Sequence, residues 1–146
     1  MVPPGSALLL DSSVVLAYLA GHEPGSVRAV QLFDAFVATG RNRASVSTVT
    51  VGEILVRPFQ RGRSAVATAE GFLQHFSGLR LLTVTYDVAR EAARLRALTG
   101  LAMPDALIIA TAVVDDTDIL VTNDRSWGPR LAGVVPALAI LELTAA

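Results

Sequence analysis

The sequence predicts an α/β fold, a three-layer α/β/α sandwich around a central, mainly parallel sheet. Short aliphatic runs, such as residues 8–10 and 119–121, alternate with longer segments whose apolar residues recur at helical spacing. This alternation indicates parallel strands joined by right-handed crossovers. The length of 146 residues suits one domain, and an apolar fraction of 52% supplies a core without disulfides. We therefore expect residues 1–146 to form a single domain.

The first half of the chain predicts two strands and two helices. Residues 7–11 read as a buried strand, and Ser12 or Ser13 is a candidate cap for the helix that follows. After a loop, a helix is predicted to start at Val27 and to stop at Gly40. A second strand is predicted over residues 44–47.

The second half predicts four more helices and three more strands. The helices are expected from Ser47 or Thr48 to Val56, before Pro58, then over 66–76, 88–100 and 106–114. The strands are expected over 80–84, from residue 119 towards Asp124, and within 136–141, with a turn at 126–129 before the last one. The helix over 106–114 is apolar on nearly every side, which predicts that it is buried centrally.

Composition excludes several classes of protein. Without cysteine there are no disulfides, zinc–thiolate sites, thiol nucleophiles or iron–sulfur clusters. All twelve basic residues are arginine, so P-loop and Schiff-base lysines are excluded. The net charge of −1 requires any nucleic-acid contact to use a local basic patch. Neither a secretory signal nor a membrane-spanning run is evident, so we expect a soluble, cytoplasmic protein with no membrane partner.

Four acidic residues stand out by position. Asp11 and Asp124 end aliphatic strands, Asp105 follows Pro104 at the start of the buried helix, and Glu53 lies within an otherwise apolar helix. Each has an ordinary explanation: Asp11 as a helix cap, Asp105 as a complement to a helix N-terminus, and Asp124 as a turn residue. Glu53 must either reach solvent or find a partner.

Taken together, the acids predict a metal site. Ligands of open α/β sheets bind beyond the carboxyl ends of the strands, where these side chains can converge on one cleft. Neighbouring carboxylates raise one another's pKa unless a cation compensates them, and Mg²⁺ or Mn²⁺ prefers oxygen ligands. Such an ion stabilises charge on a phosphoryl oxygen, so this set of acids points to phosphodiester hydrolysis.

The same residues resemble the PIN-domain family. The resemblance rests on Asp11-Ser12-Ser13 after an aliphatic strand, Glu53, the segment from Pro104-Asp105 to Ala112, and Thr122-Asn123-Asp124. It spans residues 8–143, in order and with appropriate spacing. The small, single-domain form is similar to VapC-type toxins of toxin–antitoxin modules.

The resemblance implies a Mg²⁺- or Mn²⁺-dependent endoribonuclease. Carried over by position, Asp11, Asp105 and Asp124 surround the metal, and Glu53 completes the acidic quartet through water or by orienting the attacking water. Ser13 and Thr122 match the hydroxyl positions that support the quartet. The resemblance further implies an RNA substrate, a homodimer and a VapB-like antitoxin partner.

Two arginines and two rival functions complete the expectations. Arg57 and Arg61 are candidates for phosphate contacts beside the cleft, although a solvated helix end explains them equally well. One rival is a phosphotransfer domain with Asp11 as nucleophile; the absence of lysine and of a second acid two residues later disfavours it. The other rival is a PIN-like module that binds RNA or protein without cleavage.

Overall fold

The fold is built on a central sheet. In the computed structural model, which describes residues 2–144, the sheet has five strands. They are β1 (Leu8–Leu10), β2 (Ala44–Ser47), β3 (Leu79–Leu82), β4 (Ile119–Thr122) and β5 (Ala139–Glu142). Met1, Ala145 and Ala146, which the predicted domain of residues 1–146 includes, lie outside the described residues.

Every strand pair within the sheet is parallel, in the order β3-β2-β1-β4-β5. The central strand β1 pairs with β2 through Leu8 and Ala44, and with β4 through Leu10 and Val121. After β1 the chain forms β2 and β3 on one side of it, and later returns to form β4 and β5 on the other. A crevice therefore opens at the carboxyl end of β1. In α/β sheets this switch point is where ligands bind.

Helices cover both faces of the sheet. They are α1 (Ser12–Ala20), α2 (Ser26–Val30), α3 (Thr48–Arg61), α4 (Arg63–His75), α5 (Tyr86–Thr99), α6 (Met103–Val114) and α7 (Trp127–Leu131). The helix α2 continues directly as a π-helical segment, Gln31–Val37. Residues of α1 to α4 share one core with Leu8 and Leu10, whereas residues of α5 to α7 share a second core with Leu9. The predicted three-layer α/β/α sandwich is therefore confirmed.

The pleat of β1 explains this division. Successive side chains of a strand point to opposite faces, so Leu9 faces the α6 side while its two neighbours face α1. All three leucines are at most 2% exposed, as expected for the middle strand of a parallel sheet. The predicted central burial of α6 also holds, since Ile108, Ile109 and Ala110 are fully buried.

Two predicted elements differ from the structure at positions where a proline signals a break. The helix expected to end at Val56 runs through Pro58 to Arg61. An interior proline costs about 3 kcal/mol, and it is accommodated here although residues 59–61 are exposed, with the Gly62 N–H donating to the Pro58 carbonyl. The turn expected at 126–129 is the start of α7, whose first turn accommodates Pro129 without losing a hydrogen bond.

Smaller differences concern element ends. The cap of α1 is Asp11 rather than Ser12 or Ser13. The predicted helix over 27–40 begins at Ser26 and winds as a π-helix from Gln31 to Val37. This winding keeps Phe33 in the core, where its ring centroid lies 4.4 Å from that of Tyr18. Within residues 2–144, no helix combines the length and hydropathy that a membrane span requires.

Candidate active site

The site lies at the carboxyl ends of β1 and β4, where Asp11 is the buried member. Asp11 is only 6% exposed and caps α1, and its Oδ1 accepts the backbone N–H of Ser12 at 2.7 Å. Its Oδ2 accepts the hydroxyls of Ser13 at 2.8 Å and Thr122 at 2.9 Å. Three donors hold this carboxylate in one orientation, as a ligand or base that must not move requires.

Ser13 and Thr122 also tie the two strand ends together. Ser13 Oγ accepts the backbone N–H of Asn123 at 3.0 Å, and Thr122 Oγ1 accepts the backbone N–H of Asp124 at 3.0 Å. Each hydroxyl therefore donates to Asp11 while it accepts from the loop after β4. The two residues predicted to support the acids are placed so that they fix Asp11 relative to Asp124.

Glu53 approaches the same cleft from α3. It is exposed, and its Oε1 accepts the hydroxyl of Ser12 at 2.6 Å. Ser12 Oγ also lies 3.0 Å from the hydroxyl of the buried Thr50. The sequence predicted that Glu53 must either reach solvent or find a partner. In the structure its carboxylate does both, since it is exposed and accepts the Ser12 hydroxyl. Ser12 is the residue that links Glu53 to the strand end carrying Asp11.

Asp124 is the exposed acid on the β4 side. Its Oδ1 accepts both the backbone N–H of Ser126 at 2.8 Å and the Ser126 hydroxyl at 2.6 Å. These contacts form a tight local turn, so the ordinary reading of Asp124 as a turn residue is also correct. One oxygen is occupied in this way, and no hydrogen bond to Oδ2 is seen within residues 2–144.

Asp105 faces the other three acids from the first turn of α6. Partial burial raises the pKa of Asp105, and the negative charges of Asp11, Glu53 and Asp124 raise it further. The positive charge of Arg130 opposes this effect. The charges of the other three predicted acids therefore reach Asp105 across the cleft.

The pKa of Asp11 is also raised, and burial is again the largest cause. Burial raises the pKa of Asp11, and the hydrogen bonds from Ser13, Thr122 and the Ser12 backbone lower it. Glu53 adds a smaller repulsion that raises it. Burial prevails, so the pKa of this carboxyl is above its ordinary value. A cation in the cleft would relieve both Asp11 and Asp105.

The chemistry of the donor set fits a hard divalent cation. The four side chains that interact are carboxylates, the ligands that Mg²⁺ and Mn²⁺ prefer, and their repulsion needs a counter-charge. Over residues 2–144, no three acidic or histidine side chains are already arranged as a metal-binding group.

The two predicted arginines, Arg57 and Arg61, and a third one, Arg130, have different surroundings. Arg57 and Arg61 are exposed on the last turns of α3, and among the described residues neither forms an ion pair. Arg130, which sequence reasoning missed, acts on Asp105 electrostatically and donates to the Thr99 carbonyl at 2.9 Å. Nothing in the sequence pattern pointed to it, because residues 126–129 were expected to form a turn rather than the start of α7.

Two solved structures with this fold are FitAcB and VapBC-1. A FitAcB structure from Neisseria gonorrhoeae has a TM-score of 0.68 at 22% identity, covering 93% of this chain and 97% of that one. VapBC-1 from nontypeable Haemophilus influenzae has a TM-score of 0.67 at 16% identity, with 95% and 99% covered. At such identities the likeness shows a shared fold.

A third similar structure is that of an RNA-cleaving toxin. Mycobacterium tuberculosis VapC20, described as cleaving the sarcin–ricin loop, has a TM-score of 0.63 at 17% identity. The match covers 77% of this chain and 86% of that one. A comparison with curated proteins gave no match.

The sequence itself matches a family. The family model of the PIN domain matches residues 8–129, which include the four acids of the cleft and both strand ends that carry them. The resemblance noted in the sequence and the parallel sheet with helices on both faces agree with this match. The chain belongs to the PIN-domain family.

Proposed function

We propose that the protein is a Mg²⁺- or Mn²⁺-dependent endoribonuclease, the VapC-type toxin of a toxin–antitoxin pair. The observation that carries the proposal is the convergence of Asp11, Glu53, Asp105 and Asp124. Burial raises the pKa of Asp105, and the negative charges of the other three acids raise it further. Carboxylates that repel one another in a cleft at a strand switch point suit a cation-assisted reaction on a phosphodiester. Membership of the PIN-domain family supports the same reaction class.

The chain's own residues would divide the work as follows. Asp11, Asp105 and Asp124 would hold the cation, with Asp11 kept in place by Ser13 and Thr122. A bound cation would stabilise negative charge on the phosphoryl oxygens and lower the pKa of water. Glu53, which is exposed and accepts the Ser12 hydroxyl, would accept a proton from the attacking water. In-line attack would leave 5′-phosphate and 3′-hydroxyl ends.

The partners follow from the same proposal. RNA is the substrate, a VapB-like antitoxin occupies the cleft in the resting complex, and the toxin acts in the cytoplasm as a homodimer. The likeness to VapBC-1 supports an antitoxin partner, because the VapBC family is described as one of toxin–antitoxin systems. The description of VapC20 as a cleaving toxin supports RNA as the substrate.

The test is RNA cleavage by the isolated protein with Mg²⁺, Mn²⁺ or a chelator, beside the Asp105→Asn variant. We expect cation-dependent cutting that the variant loses by about a hundredfold or more while it still binds RNA. Asp87→Asn, which changes an exposed acid in the first turn of α5, is the matched control and should cut normally.

Two results would contradict the proposal. A protein that binds neither cation and cuts no RNA has no metal-dependent centre. A protein that binds RNA equally well in all conditions, with no cutting, is the non-cleaving PIN-like module considered above. In both cases Asp105→Asn would leave growth inhibition unchanged when the chain is expressed alone.

A further inference from the structure

Two hydroxyl groups connect Glu53 to the interior of the molecule. Ser12, the first residue of α1, is 8% exposed, and its Oγ lies 2.6 Å from Glu53 Oε1. The same Oγ lies 3.0 Å from the Oγ1 of Thr50, which is fully buried in the first turn of α3. Thr50 and Glu53 are three residues apart, so they lie on the same side of that helix. We call this line of contacts the Thr50–Ser12–Glu53 relay.

The direction of the two hydrogen bonds follows from the number of protons available. A serine hydroxyl carries a single proton, which it can donate to one acceptor, and it can accept a second hydrogen bond. The ionised carboxylate of Glu53 has no proton, so the Ser12 proton must lie between these two residues. The proton between Ser12 and Thr50 is therefore the one that Thr50 carries.

The position of Thr50 in α3 leaves its hydroxyl proton available for this purpose. A threonine inside a helix can donate to the carbonyl four residues earlier, as Thr111 does to Leu107 at 2.7 Å. Four residues before Thr50 lies Val46, which belongs to β2 rather than to the helix. Among the described residues, the Thr50 hydroxyl has a hydrogen-bond contact with Ser12 alone. The start of α3 therefore directs this proton towards α1.

Ser12 contacts two acids of the cleft through different atoms. Its backbone N–H donates to Asp11 Oδ1 at 2.7 Å, and its hydroxyl donates to Glu53. Within residues 2–144, the Ser12 hydroxyl is the one hydrogen-bond partner seen for the Glu53 carboxylate. An exposed glutamate has several rotatable side-chain bonds, so without this donor it would sample many orientations. The hydroxyl of Ser12 thus fixes Glu53 relative to Asp11.

We propose that Thr50 and Ser12 are positioning residues for Glu53, an inference that rests on the proposed nuclease function. Thr50 donates to Ser12, which leaves the single Ser12 proton for Glu53 Oε1. Oε2, to which no hydrogen bond is seen within the described part of the chain, is then left to accept the proton of the attacking water. The relay supplies orientation and no charge, so it acts on the reaction step rather than on the affinity for a cation or for RNA.

Steady-state RNA cleavage in Mg²⁺ by Ser12→Ala, Thr50→Val and Thr50→Ser tests the proposal. Ser12→Ala removes the hydroxyl and keeps the backbone N–H that holds Asp11. We expect kcat to fall about ten- to a hundredfold in Ser12→Ala and about three- to thirtyfold in Thr50→Val, with KM within about twofold of the parent value. Thr50→Ser, which keeps the donor, should stay within about threefold of the parent kcat. Thr111→Val removes a buried hydroxyl that bonds within its own helix, and this matched control should cut normally.

Two further readouts separate positioning from a structural effect. If Thr50 acts through Glu53, then Thr50→Val should lower the single-turnover rate of Glu53→Gln by less than about twofold, whereas independent effects multiply. Calorimetric titration should give Mn²⁺ affinities within about threefold of the parent's for Ser12→Ala and Thr50→Val, because both variants keep all four carboxylates.

The possible failures are distinguishable from one another. If the parent cuts RNA and both Ser12→Ala and Thr50→Val cut it equally fast, the relay is wrong and the nuclease proposal stands. If Thr50→Val slows Glu53→Gln as much as it slows the parent, or weakens Mn²⁺ binding about tenfold, it acts on the fold or on the cation site, and the relay is again wrong. A parent that cuts no RNA overturns the nuclease proposal itself, and the relay with it.

Discussion

At the scale of single residues, Asp11 shows how one carboxylate is both held and destabilised. Its two oxygens accept from Ser12, Ser13 and Thr122, yet burial still raises its pKa. Each hydrogen bond favours the ionised form, and burial opposes it. The chain therefore keeps a carboxylate in a place where it is poorly solvated.

Replacing Thr122 by valine tests this description. The variant loses the donor to Asp11 and the acceptor for Asp124 N–H at nearly constant shape. We expect a loss of about 1–3 kcal/mol in the free energy of unfolding at pH 7, measured with urea. The loss should shrink towards pH 4, because the missing donor matters less once Asp11 is protonated.

Thr68→Val is the control for that measurement. Thr68 is exposed on α4, and its hydroxyl donates only to the Ser64 carbonyl of its own helix. Its replacement should change the free energy of unfolding little at either pH. Equal effects of the two substitutions would show that the Thr122 hydroxyl has no special relation to Asp11.

The raised pKa of Asp105 gives a second prediction, on stability without metal. A carboxyl whose pKa is raised in the folded state stabilises that state when protonated, and this contribution is lost as pH rises above its ordinary value of 3.8. Asp105→Asn removes the repelled charge, so it should raise the melting temperature at pH 7 in chelator. The gain should be small at pH 4.

Thermal unfolding at both pH values provides the check. About 1 kcal/mol corresponds to about 2–4 °C for a chain of this size, so the difference is measurable. Asp87→Asn at the start of α5 controls for loss of an exposed charge. A lower melting temperature for Asp105→Asn at pH 7 would mean that the four acids do not repel one another in the folded protein.

The four acids could be predicted from sequence, and their partners only in part. Strand ends and a helix start are visible as patterns, so Asp11, Asp105 and Asp124 could be placed near one edge of a parallel sheet. The Ser12 hydroxyl on Glu53 depends on how α1 packs beside α3, and no local pattern encodes that. The effect of Arg130 on Asp105 likewise depends on tertiary placement.

At the scale of elements, the turn before β3 depends on one glycine. Gly78 has φ of +83°, and a Cβ at this position would collide with the carbonyl oxygen of Val37 at the end of the π-helical segment. The positive φ and the contact both exclude other residues. The turn before β3 can therefore approach the end of the π-helical segment this closely only with glycine at position 78.

A comparison of Gly78→Ala with Gly71→Ala tests whether the turn before β3 requires glycine at position 78. The first should destabilise the protein by about 2–4 kcal/mol, since it combines a left-handed backbone with a backbone clash. Gly71 lies inside α4, where a methyl group would meet no neighbouring element within 4 Å among residues 2–144. Alanine there should stabilise the protein by about 0.5–1 kcal/mol. Chemical denaturation measures both, and similar effects of the two substitutions would contradict the backbone description.

Element types were more predictable than element ends. Five strands alternating with helices follow from periodicity, and β2 was expected over the residues it occupies. The continuation of α3 through Pro58 and the start of α7 at Trp127 were not predicted, because a proline and a glycine locally signal a break. Trp127 is buried at the start of α7, which favours a helix there, whereas residues 59–61 beyond Pro58 are exposed.

At the scale of the whole molecule, charge is separated rather than abundant. The net charge of the chain is −1. Four acids nevertheless lie in one cleft, and among the described residues Arg57 and Arg61 on α3 and Arg63 at the start of α4 form no ion pair. A polyanion is attracted by the arginines and repelled by the acids until a cation neutralises them. In the proposed function, a cation would therefore bind before a phosphodiester could lie at the acids.

The most direct test of the metal-dependent cleft is a panel of four single variants: Asp11→Asn, Glu53→Gln, Asp105→Asn and Asp124→Asn. Mn²⁺ binding and RNA cleavage would be measured on each, with Asp87→Asn as the control. We expect Mn²⁺ affinity and cleavage to fall in all four variants, cleavage by about a hundredfold or more, and neither to change in the control. Cleavage that survives in Asp105→Asn, or that needs no divalent cation in the parent, would contradict a nuclease built on these carboxylates.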